Sequence, residues 1–91
     1  MVKLPADVRM RVNDALHNMC KRRHRSIPLS DITSLLATHG LKVEECILTG
    51  RIGNAKIDVL TIEGQDVNSW LVLSWVKGDI DHQWEVNAYL S

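Results

Sequence analysis

Phenylalanine is absent from these 91 residues, tyrosine occurs once, and proline and cysteine occur twice each. Without Phe, the aromatic mass rests on Trp70, Trp75, Trp84 and Tyr89, all in the C-terminal half. Two cysteines, Cys20 and Cys46, are too few for a disulfide framework, which excludes a small fold stapled by bridges and leaves two reduced thiols as the expectation. No apolar run approaches the roughly 20 residues a membrane-spanning helix needs, and Asp7 and Arg9 interrupt the N-terminal segment. A cytoplasmic protein without a membrane partner is therefore expected. The nucleophile elbow, the P-loop, the H-E-x-x-H zinc motif and the Rossmann glycine fingerprint are all missing. The expectation is a non-enzymatic chain with no cofactor.

Charge of neither sign dominates, since the formal net charge is +0, but the two signs are segregated. Residues 1–42 carry eight basic against three acidic side chains, and residues 43–91 carry three basic against eight acidic. Such a dipole suits a polyanion at its basic half or a second copy of the chain. The 45% hydrophobic and 24% charged fractions are those of a globular protein, and the length predicts a single α+β domain over residues 1–91.

Two helices open the chain. Val8, Val12, Ala15, Leu16 and Met19 form one stripe at 3.6 residues per turn, predicting a helix over 5–25. Pro5 suits its first turn, Lys21 to Arg25 complement its negative end, and Pro28 stops it. Ser30, Asp31 and the spacing of Ile32, Leu35 and Leu36 predict a second helix over about 30–39, closed by Gly40.

From Val43 the pattern changes to strands, expected near 43–52, 55–63, 69–77 and 83–90. Gly53-Asn54 reads as a tight hairpin turn between the first two, 64–68 as the second connection and 78–81 as the third. Short connections imply an antiparallel meander, so the expected fold is an α-α-β-β-β-β two-layer sandwich with both helices on one sheet face. In the fourth strand Trp84, Val86, Ala88 and Leu90 alternate with Gln83, Glu85, Asn87 and Tyr89. The third strand is apolar on both sides, with Trp70, Val72 and Val76 against Leu71, Leu73 and Trp75. The second repeats this, with Ile57 and Val59 against Leu60 and Ile62. Two helices cover one face only, so the other predicts a homodimer or another protein partner. Leu73, Trp75 and Tyr89 are the interface candidates.

The basic run near the end of the first helix supplies the alternative. Arg11, Lys21, Arg22 and Arg25 lie on one flank and could contact phosphates of a nucleic acid, although Asp7 and Asp14 share that flank. A sharper form is a helix-turn-helix with residues 42–49 as the reading helix, which Glu44 and Glu45 disfavour beside phosphate. Weaker still are three others. His17, Cys20 and His24 share one flank but lack a fourth metal ligand. Asp79, Asp81, His82 and Glu85 form an acidic cluster at a turn, and Asp81, His82 and Glu85 are its candidates for a carboxylate/His catalytic site. Trp70, Trp84, Met19 and Leu35 could line a pocket between the layers.

Overall fold

The computed structural model describes residues 1–22, 29–44, 49–77 and 84–91, with Lys21, Arg22, Trp84 and Glu85 described by their backbone alone. Two helices, α1 (Ala6–Arg22) and α2 (Leu29–Thr38), precede four strands: β1 (Leu41–Val43), β2 (Ile52–Thr61), β3 (Asp66–Lys77) and β4 (Trp84–Leu90). The strands form one antiparallel sheet in the order β1-β2-β3-β4. The expected α+β meander with two leading helices is thus the observed fold.

Each helix follows from its sequence. The Arg9 N–H donates to the Pro5 carbonyl at 3.1 Å, so α1 starts where proline's missing donor costs nothing. α2 closes in a tightened turn, with His39 N–H on Leu36 O and Gly40 N–H on Ala37 O, both 3.0 Å. Gly40 then takes φ 76°, a left-handed conformation that a side chain would disfavour. Residues 23–25, the expected end of the first helix, lie outside the described residues.

Val12 and Leu16 of α1 and Ile32 and Leu36 of α2 are fully buried, and they join Val59, Leu71, Leu73, Trp75, Val86, Ala88 and Leu90 in one core. Val8, Met19, Leu29, Leu35 and Ile57 pack around it half-buried. α1 lies chiefly against β4 and α2 against β1, so the helices cover the inner face of the sheet near its two edges.

The strand boundaries depart from the sequence pattern in one instructive way. Gly53 and Asn54 are not a turn: they sit within β2, opposite Trp75 and Ser74. A Cβ on Gly53 would fall 2.4 Å from Cζ2 and 2.6 Å from Cε2 of Trp75, so the indole lies across the space a side chain would need. The glycine serves a close cross-strand approach, not a reversal of the chain. β1 is correspondingly short and pairs only with residues 59–61. The next reversal occupies residues 62–65, where Gly64 has φ 93° and Thr61 N–H bonds Gln65 O at 2.8 Å. Asn68, expected in that connection, is inside β3. The third connection, 78–81, lies outside the described residues.

The pairing of β2 with β3 slips between Asp58 and Leu60, where Val59 faces three residues of β3, Val67 to Ser69. Next to this irregularity the N-terminal segment joins the sheet. Val2 N–H bonds Asp66 O at 2.6 Å, Asn68 N–H bonds Val2 O at 3.0 Å, and Leu4 N–H donates to Asn68 Oδ1 at 2.7 Å. These bonds seat Leu4 in the core and extend the pairing of β3 beyond the end of β4.

Candidate functional site

Strand alternation divides the sheet into two faces, and register fixes which residues share each. Leu73 and Trp75 stand opposite Ala88 and Val86 of β4, and all four are buried on the helix side. The outer face carries Ile52, Asn54, Lys56 and Asp58 of β2, Trp70, Val72, Ser74 and Val76 of β3, and Asn87 and Tyr89 of β4.

This division corrects the interface set drawn from the sequence. Leu73 is 0% and Trp75 6% exposed, both within the core, so neither belongs to an open surface. Tyr89 is 54% exposed and stands on the outer face, opposite Val72. Trp70, read at sequence level as a core or pocket residue, is also on this face at 38% exposure. It therefore cannot line an interior pocket with Met19 and Leu35, which pack against the core.

The outer face has a definite internal arrangement. One cross-strand row is Lys56–Val72–Tyr89, and Asp58 stands opposite Trp70 in the row beside it. The Lys56 ammonium lies 4.1 Å from the Trp70 ring centroid, where the negative face of the indole attracts it. On the other side runs a polar row, Asn54–Ser74–Asn87, and beyond it Ile52 faces Val76. A shallow concavity of about 400 Å³ follows that polar row, with Ile52, Val76 and Gly53 among its lining residues.

The free side of β4 is treated differently. The side-chain amide of Asn13 on α1 acts as a substitute strand: its Nδ2 donates to Leu90 O at 2.9 Å and its Oδ1 accepts from Leu90 N–H at 2.6 Å. The Cys20 thiol donates to Val86 O at 3.7 Å. Ala88 lies between them in a groove of about 420 Å³ that Asp14, His17 and Tyr89 also line. An edge capped in this way is a poor template for another strand, which disfavours edge-to-edge pairing through β4. Nothing in the sequence singled out Asn13. The available signal was a polar residue beside the apolar stripe of α1, and its partner is 77 positions away.

Of the basic flank, Arg11 is described in full, and it is already engaged. Its Nη2 donates to Asp7 Oδ2 at 3.1 Å, one helical turn back, with both side chains largely exposed. Lys21 and Arg22 are placed by backbone at the end of α1, while Arg25 lies outside the described residues. The structure therefore does not assemble the four into a described patch. The helix-turn-helix form is corrected: residues 41–43 pair with 59–61 as a strand, so no reading helix starts at Lys42. Residues 45–48 lie outside the described residues.

His24, Cys46, Asp81 and His82 also lie outside them. Among the described residues no group of three or more His, Cys, Asp or Glu side chains is placed to hold a metal ion, and no helix is long and apolar enough to cross a membrane. No family model, no curated protein and no solved structure matches this chain.

Proposed function

We propose that this chain is a small non-enzymatic interaction module that self-associates through the outer face of its sheet. The observation that carries the reading is the contiguous surface formed by Trp70, Val72 and Tyr89, with Ile52 and Val76 beyond the polar row, on the face away from both helices. Single exposed apolar residues are ordinary, whereas an aromatic cluster on one open face marks an association surface. A standard interface buries about 800 Å² per partner, roughly one-eighth of the 6156 Å² this chain exposes, which is within the reach of one sheet face. Capping of the β4 edge disfavours edge-to-edge association through that strand. The free, half-buried Cys20 thiol fits a reducing compartment, for which the cytoplasm is the natural choice.

Trp70→Glu tests the reading, because it places a charge in the middle of the surface without touching the core. Sedimentation velocity across a concentration series should give a dimer for the native chain and a dissociation constant at least about thirtyfold weaker for the variant, the scale of one lost hot spot. A native chain that stays monomeric, or a variant that associates as the native chain does, removes the proposal. The nucleic-acid reading has less support, since Arg11 is paired with Asp7. Its signature would be oligonucleotide binding that weakens steeply with salt.

A further inference from the structure

The self-association proposed above leaves the orientation of the two copies open, and the charges on the outer face narrow it. Lys56 and Asp58 are two residues apart on β2, so they project from the same face as neighbours. Both are exposed, and neither forms an ion pair with a described residue. The lysine instead lies over the Trp70 ring. A strand that sets an exposed cation two residues from an exposed anion on one face is locally self-complementary under a two-fold rotation, provided that the rotation reverses the strand direction.

We propose that two copies pack outer face to outer face about a two-fold axis that crosses β2 and β3 between the Lys56–Val72 row and the Asp58–Trp70 row. This inference rests on the self-association reading and adds its geometry. The rotation sets Lys56 of each copy against the partner's Asp58, and Trp70 of each against the partner's Val72. Two ion pairs and two aromatic–aliphatic contacts then surround the axis. The alternative axis, parallel to the strands between β2 and β3, sets Lys56 against the partner's Val72 and Asp58 against the partner's Trp70. Both charges would then lose water without gaining a counter-charge. Electrostatic complementarity selects the first arrangement.

Charge reversal and its reciprocal test the geometry. Lys56→Asp alone should weaken dimerisation at least about tenfold, because two like-charge pairs then meet across the axis, and Asp58→Lys alone should do the same. The double variant Lys56→Asp with Asp58→Lys restores both pairs and should recover the native dissociation constant to within about threefold. Thermal unfolding of each variant, followed by circular dichroism, checks that the fold is retained. Single reversals that leave a native dimer unaffected overturn this geometry while the self-association reading stands. A double variant no tighter than the singles overturns it as well. A native chain that is monomeric throughout overturns the self-association reading and the geometry with it.

Discussion

Replacing Gly53 with alanine is the sharpest test of how the inner face is built. The added methyl would stand 2.4 Å from Trp75 Cζ2, 2.6 Å from Cε2 and 3.0 Å from Nε1. Carbon atoms in contact prefer about 3.5–4.0 Å, so the indole must retreat by about 1 Å or more. It cannot do so freely, because Trp75 is 6% exposed and packed in the core. Relief has to come from strained rotamers or a parting of β2 and β3, which places the cost near 1–3 kcal/mol, the usual range for an overfilled core. A glycine in an unobstructed strand would instead gain about 0.5–1 kcal/mol on becoming alanine. The sign of the effect therefore decides the matter. With a urea slope of about 1 kcal/mol per molar, the midpoint of unfolding, followed by tryptophan fluorescence, should fall by roughly 1–3 M. Combining the change with Trp75→Leu should cost at least about 1 kcal/mol less than the two single effects added together, since the smaller side chain vacates the contested space. An unchanged or raised midpoint for Gly53→Ala would refute the packing of Trp75 over β2, and with it the placement of Trp75 in the core.

Other expectations follow from the same contacts. Asn13→Ala removes both bonds to Leu90 and should cost about 1–3 kcal/mol in urea unfolding, with faster hydrogen exchange at the Leu90 amide. Arg11→Ala breaks an exposed ion pair one helical turn apart and a long exposed bond to the Asp7 carbonyl, and calorimetry should register a loss no greater than about 0.5 kcal/mol. Trp75→Glu forces a carboxylate into the core and should abolish cooperative thermal unfolding, or nearly so. Tyr89→Glu, on the outer face, should leave the stability of the monomer within about 0.5 kcal/mol while weakening association. If the two glutamate variants behaved alike in thermal melts, the division of the sheet into a covered and an open face would fail.

The helices were legible in the sequence because one apolar stripe at helical spacing has a single structural solution, and Val12, Leu16, Ile32 and Leu36 are buried as that spacing requires. β4 was nearly as clear, since Val86, Ala88 and Leu90 alternate with polar neighbours. β3 was harder. Its two sides were separated correctly, but both are apolar, and composition could not say which one meets the helices. The register does: Leu73 and Trp75 stand opposite Ala88 and Val86, so they share the buried face of β4. Gly53-Asn54 misled for a related reason. Glycine followed by asparagine satisfies local turn chemistry, whereas the need for glycine here comes from an indole 22 positions away in sequence. Asn13 carries no local signal, because its role exists only once α1 lies along β4. Local pattern identified elements; contacts remote in sequence fixed where strands end and which surface is open.

The most direct test of self-association through the outer face is the solution mass of the native chain by light scattering, measured across concentration and across a salt series, with and without a mixed-sequence oligonucleotide. The expected result is twice the mass of the chain, largely retained at high salt because Trp70, Val72 and Tyr89 supply most of the contact, and unaffected by the oligonucleotide. A monomer at every concentration, or a species that forms only with the oligonucleotide and dissolves as salt rises, would contradict it.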